Sequence, residues 1–199
     1  MKKIMVFGLA VALLGGVAGC SDTSDTANSS SSTSQTISQT KQTQASSKGQ
    51  ISFKVTVEEA IKTYQETYPD SDITSIELET SFGKYSYKIE GVDDEREYEV
   101  QVNANTKEVS KDSAENLDSE DKAGVKRNAD KLDLENLLSV ERAAEIAAKK
   151  AGGGKAEEWQ LGKELGTTYW EVKVVDGHKE TDVKLDAKSG EVLETEIDD

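Results

Sequence analysis

The feature that most constrains this fold is a repetition. Thr181 to Leu193, TDVKLDAKSGEVL, lines up with Tyr98 to Ser110, YEVQVNANTKEVS, once the chain is moved back 83 positions. At that single offset and without a gap, Val57 falls on Val140, Glu58 on Glu141, Ala60 on Ala143, Gly83 on Gly166, Asp93 on Asp176, Val100 on Val183, Ala104 on Ala187, Glu108 on Glu191 and Val109 on Val192. One supersecondary unit is therefore built twice. A copy of roughly 80 residues sits near the size where one hydrophobic core is only just sufficient, so each copy stands to gain from its twin.

The pattern within a copy changes once. Thr56-Val57-Glu58-Glu59 fits a capping box, in which the threonine hydroxyl and the glutamate carboxylate satisfy each other's backbone amides, and it predicts a helix start. Val57, Ala60, Ile61, Tyr64 and Tyr68 form one apolar stripe, which Pro69 ends. Alternation follows: Ile76, Leu78 and Phe82 lie on one side of a strand, a turn is expected at Gly83-Lys84, and Tyr85, Tyr87 and Ile89 alternate with polar neighbours. A second turn at Asp93-Asp94 leads to Tyr98, Val100 and Val102.

Copy two repeats the plan, with Ser139 as helix cap and Gly152-Gly153-Gly154 as stop. Its helix stripe is small, from Val140 through Ala143, Ala144 and Ala147 to Ala151, while Trp159 and Trp170 replace Ile76 and Tyr87 in the strands. Small helix residues against large strand residues can fill the same volume, so both tryptophans are expected in the core. Asp176-Gly177 predicts a further hairpin. The fold class is α+β: two tandem repeats over residues 51–110 and 137–199, each a helix packed on a three-stranded antiparallel sheet. Residues 111–136 read as a charged linker in which only Leu117, Val125 and Leu132 could dock, and its length permits the copies to be separate or packed together.

Ahead of the repeats stand a targeting segment and a tether. Residues 1–19 have a basic start, an apolar run shorter than a membrane span and small residues before Cys20, the layout of a signal peptide. Val17-Ala18-Gly19-Cys20 resembles the lipobox of bacterial lipoproteins, which implies cleavage before Cys20 and lipidation of its sulfur. The chain is then expected on the outer side of a cell membrane, anchored through Cys20. Residues 20–50 are too poor in apolar groups to repay the entropy of ordering, and a flexible tether of this length has an r.m.s. reach on the order of 30 Å.

Little in the sequence looks like chemistry. With 24 Lys and Arg against 39 Asp and Glu, the chain has a formal charge of −15, and nucleic acid is an unsuitable partner. Its acidity reads first as a solubility device. His178 is the sole histidine and sits beside the Asp176-Gly177 turn, without a nucleophile or second histidine to work with. No carboxylate spacing matches a calcium loop, and Gly152-Gly153-Gly154-Lys155 follows a helix where a phosphate loop must precede one. No catalytic residue, metal site or cofactor is expected, and the protein reads as a non-enzyme.

A capped helix opening on Val-Glu-Glu-Ala, followed by strands that end in Asp-Ala-Lys-Ser-Gly-Glu-Val-Leu, resembles the PepSY domain. Copy two carries the resemblance best from Val183 to Leu193 and copy one from Thr56 to Ile61, although Asn103, Asn105 and Lys107 replace Asp186, Lys188 and Gly190 at the last turn. The resemblance implies a role in restraining or regulating an extracytoplasmic peptidase, here in trans. Occlusion of a cleft by a sheet edge or hairpin would place the contact at Gly83, at Asp93, Asp94 and Arg96, at Gly166, or at Asp176, Gly177 and His178. The alternative is an envelope accessory protein that binds a peptide, a cation or a surface component with no peptidase involved.

Overall fold

The first helix starts where the chain caps itself. Thr56 Oγ1 accepts from the Glu59 N–H at 3.3 Å, and Glu59 Oε2 accepts from the Thr56 N–H at 3.2 Å. The structure is a computed structural model and describes residues 52–198, so Cys20 and the tether lie outside the described residues. Helix α1, Val57–Thr67, buries Val57, Ala60, Ile61 and Tyr64 and ends at Tyr68, the residue before Pro69. Three strands follow, β1 (Asp72–Ser81), β2 (Lys84–Val92) and β3 (Arg96–Asn103), paired in antiparallel order. Gly91 lets the helix sit close, because any Cβ there would collide with the Tyr64 hydroxyl.

The second copy repeats this after a hydroxyl cap, with Ser139 accepting from the Arg142 N–H at 3.2 Å. Helix α3, Val140–Ala151, stops at Gly152 in the left-handed conformation (φ 88°), and β6 (Lys155–Glu164), β7 (Thr167–Asp176) and β8 (Lys179–Asp186) form the meander. Each copy also adds an edge strand beyond the expected three. In copy two it is the unbroken β9, Val192–Asp198. In copy one it is split into β4, Val109–Lys111, and β5, Glu115–Asn116, both paired with β3.

The copies are not separate units. A nine-stranded sheet runs in the order β4-β3-β2-β1-β6-β7-β8-β9, with β5 also on β3, and β1 meets β6 at its centre. The seam is three pairs long: Ile76 faces Leu161, Glu77 faces Gln160 and Leu78 faces Trp159. Gln160 is the residue that falls on Glu77 at the repeat offset, so a pseudo-two-fold axis passes through that pair. Directly opposed residues share a face, so Ile76, Leu78, Trp159 and Leu161 all point to the side covered by both helices. They join Tyr87, Ile89, Trp170, Val172, Val183 and Leu185 in a single core. Each such side chain contributes about 1.5–3 kcal/mol by leaving water. Both tryptophans are buried as expected, and the Trp159 indole N–H has no hydrogen-bond partner among the described residues.

The segment between the copies is held by both, through Asp72 and Asp94 of the first and through Lys163, Thr168 and Lys188 of the second. It carries a short helix α2, Val125–Asp130. Arg127 Nε lies 2.7 Å from Asp72 Oδ2, and Lys131 Nζ lies 2.7 Å from Asp72 Oδ1. Burial alone would raise the Asp72 carboxyl, but its hydrogen bonds to Lys131 and Arg127 outweigh that and hold it below its ordinary value. Leu117 and Leu132 are buried, whereas Val125 is 56% exposed and does not dock. The face of the sheet away from helices α1 and α3 is polar, with Lys88 set among Glu77, Glu90 and Glu99 and Lys184 among Glu164, Glu171 and Glu194.

Candidate interaction hairpins

Two hairpin tips at the repeat offset share an unusual construction. Ser81 pairs with Lys84 across Phe82-Gly83, and Glu164 pairs with Thr167 across Leu165-Gly166. All four loop residues have positive φ, 50° and 75° in the first tip and 49° and 85° in the second. That is the two-residue type I′ turn, whose first position suits Asn, Asp or Gly. A Phe or Leu there costs about 1–2 kcal/mol of backbone strain. Phe82 is 104% exposed and Leu165 100% exposed. The expectation that Phe82 points inward with Ile76 and Leu78 is corrected: the turn begins one residue early, at Phe82 itself, and removes it from the strand's alternation.

The other sequence-predicted loops differ in how firmly they are held. Asp176 pairs with Lys179 across Gly177-His178, and Gly177 takes a positive φ of 66°. A Cβ on Gly177 would meet nothing within 4 Å among the described residues, so the tip of this turn is open. The equivalent turn in copy one is tied down. Asp93 Oδ1 accepts from the backbone N–H of Glu95 and of Arg96, each at 2.7 Å, and Oδ2 accepts from the Tyr98 hydroxyl at 2.6 Å. Burial would raise this carboxyl, yet those hydrogen bonds keep it below its ordinary value. Asp94 is held from outside, its carbonyl accepting from Ala123 N–H at 2.9 Å and its carboxylate lying 3.3 Å from Arg127.

Topology sorts these residues into two groups. Because β1 and β6 run antiparallel, Gly83 lies at the same end of the sheet as Asp176, Gly177 and His178, and Gly166 lies at the other end with Asp93, Asp94 and Arg96. Within each group the two hairpins come from different copies and stand about three strand spacings apart, on the order of 15 Å. Phe82 and Leu165, absent from the sequence-based candidates, are the most exposed large apolar side chains of the two ends. The signal available in sequence was a bulky residue directly before Gly between two alternating runs. Among the described residues, no three His, Cys, Asp or Glu side chains are grouped to hold a metal ion.

The model of the peptidase propeptide and YPEB domain matches twice, at residues 54–112 and 137–196. The chain belongs to the PepSY family. Each PepSY repeat thus spans one helix and its meander, and the seam between β1 and β6 joins two PepSY sheets edge to edge. A solved structure of a putative lipoprotein from Clostridium difficile 630 is 40% identical, with a TM-score of 0.71, and covers 74% of this chain and 96% of its own. The uncharacterized protein YkoJ of Bacillus subtilis (strain 168) is 27% identical over 157 residues, 78% of this chain and 81% of its own length. The PepSY repeats and the structural neighbour support an extracytoplasmic accessory module. No helix among the described residues is long and apolar enough to cross a membrane.

Proposed function

We propose that this chain is a lipid-anchored, non-enzymatic binding module on the outer side of a cell membrane, which restrains a cell-surface or secreted peptidase in trans. The contact surface is the end of the sheet that holds Phe82, Gly83, Asp176, Gly177 and His178. Phe82 carries the reading: a wholly exposed aromatic side chain on a strained two-residue turn has its backbone conformation fixed before any partner arrives. Such a side chain loses little further freedom on entering an apolar pocket. The opposite end is less suited, because the Asp93 to Arg96 turn is already engaged by residues 117–127.

Support for a peptidase partner comes from the family, whose description names peptidase propeptides. Support for the anchor comes from Val17-Ala18-Gly19-Cys20 and from the lipoprotein named among the similar structures. Inhibition is then occlusion: Phe82 fills a pocket beside the cleft while the Gly177-His178 turn lies against its rim.

The test uses the chain Ser21 to Asp199, titrated into surface and culture-fluid fractions of the parent cell with a fluorescent casein substrate. Peptidase activity is expected to fall saturably, Phe82→Ser to weaken the effect at least about tenfold, and Leu165→Ser to leave it unchanged. Activity unaffected by the wild-type chain rules the reading out.

A further inference from the structure

We infer that β9 is a docking edge for an extended peptide segment in which basic and apolar residues alternate. Among the described residues β9 pairs only with β8, from Glu180 opposite Asp198 to Leu185 opposite Val192. Its outer edge therefore presents a row of backbone donors and acceptors over a strand of seven residues. The opposite margin of the sheet lacks such a row, since β4 and β5 are short and interrupted between Lys111 and Glu115.

The chemistry of the occupant follows from the two faces of β9. Thr195 and Ile197 lie opposite Val183 and Thr181, both buried on the helix side. Ile197 is 55% exposed there, and the bulge residue Leu193 is 48% exposed. On the other face Glu194, Glu196 and Asp198 stand opposite Lys184, Asp182 and Glu180. Lys184 serves Glu194 at 3.3 Å, while Glu196 and Asp198 make no ion pair among the described residues. An added strand would thus set one face against apolar side chains and the other against two unmatched carboxylates.

A second copy of this chain is the wrong occupant. Antiparallel pairing of β9 with itself would bring carboxylates against carboxylates on one face, in a chain whose net charge is already −15. The repeat offset also distinguishes the edges, because Lys111, Ser113 and Glu115 stand where copy two has Glu194, Glu196 and Asp198. The acidic row belongs to β9 alone. This inference does not depend on the peptidase reading, which uses the hairpin end and not the sheet margin.

The experiment titrates the isotope-labelled chain Ser21 to Asp199 with a seven-residue peptide alternating lysine and valine, followed by NMR and amide hydrogen exchange. Controls are the same peptide with alternate backbone nitrogens methylated, and a glutamate-valine counterpart. The expected result is saturable shifts and slowed exchange at the outward amides of β9, with the methylated peptide and the acidic one each at least about tenfold weaker. The double variant Glu196→Lys with Asp198→Lys should reverse the preference between lysine and glutamate peptides while leaving the β8 amides undisturbed. No saturable change in β9 up to about 1 mM peptide overturns the inference. So does equal binding of the methylated peptide, which would mean charge attraction without strand pairing. Concentration-dependent protection of β9 in the free chain would assign the edge to a second copy and overturn it as well.

Discussion

Tyr87 donates its hydroxyl hydrogen to the carbonyl of Val55 at 3.0 Å, joining the middle of β2 to the segment that leads into α1. At the repeat offset Trp170 donates its indole N–H to the carbonyl of Leu138 at 3.2 Å. The same carbonyl position is satisfied in both copies, once by a phenol and once by an indole. Around it the backbone is also repeated: Val55 N–H donates to Ala104 O at 3.0 Å and Leu138 N–H to Ala187 O at 2.8 Å. Tyr87→Phe keeps the ring and removes the donor. It should cost about 1 kcal/mol, read as a shift in the urea midpoint at an unchanged slope.

The last turn of each repeat makes a paired prediction. Lys107 takes φ 65° where copy two has Gly190 at 76°, and a left-handed lysine is strained. Lys107→Gly should stabilise the fold by roughly 0.5–1 kcal/mol; the exposed ion pair of Lys107 with Glu59 offers little against that. The reverse change is harsher, since a Cβ on Gly190 would lie 2.6 Å from Ile146 Cδ1 and 3.1 Å from Leu138 Cδ1. Copy one has the shorter Thr63 and Val55 at those positions. Gly190→Ala should therefore destabilise by about 1–2 kcal/mol, and Ile146→Thr in the same chain should recover part of the loss. Thermal unfolding of the two single variants and the double variant checks the coupling.

Asp182 predicts a pH dependence. Burial, and then the nearby Asp198, Glu180 and Glu196, raise its carboxyl above the ordinary value in spite of Lys173. A carboxyl raised in the folded state binds its proton more tightly there than in the unfolded chain. Its charged form therefore lowers stability as pH rises through the folded value, and the deficit is absent below the unfolded value. Asp182→Asn should be more stable than the wild type at neutral pH, and the two should converge in acid. Urea titrations at a series of pH values measure the difference.

The seam predicts cooperativity. Ile76 and Leu161 are both fully buried and face each other across β1 and β6. Ile76→Ala in copy one and Leu161→Ala in copy two should each cost about 2–5 kcal/mol. Both should shift a single calorimetric transition rather than one half of a double transition, because the two repeats share a core.

Much of this architecture is legible in the sequence because it rests on local chemistry. Thr56 with Glu59, Ser139 and Gly152 mark helix ends through hydrogen bonds made within a few residues, and the alternation of Tyr87 and Ile89 or Trp170 and Val172 states which strand face is inward. The seam is not legible in the same way. Ile76 and Leu78 would look identical in a free-standing edge strand, and their partners lie 85 and 81 residues away at Leu161 and Trp159. Phe82 misleads because its apolar character fits the strand's alternation, while the turn begins at Phe82 itself and has Gly83 as its second residue. The ties from Arg127 to Asp72 and Asp94 are hidden because a basic residue in a charged segment carries no sign of its partner. At the hairpin ends, the sequence indicates where chains turn, and only topology reveals that Gly83 shares an end with His178 and Gly166 with Asp93.

The Glu77–Gln160 pair on the pseudo-two-fold axis also guards against the wrong assembly. Two chains that met through their first repeats could align β1 with β1 in the same register, with Ile76 opposite Leu78 and one Glu77 against the other. Burial already raises the Glu77 carboxyl, with Glu90, Glu79 and Glu99 adding to it against Lys88, so a second carboxylate there would be poorly tolerated. Gln160 supplies a neutral partner within the same molecule. A single amide in place of an acid thus biases β1 toward β6 rather than toward the β1 of a neighbouring chain.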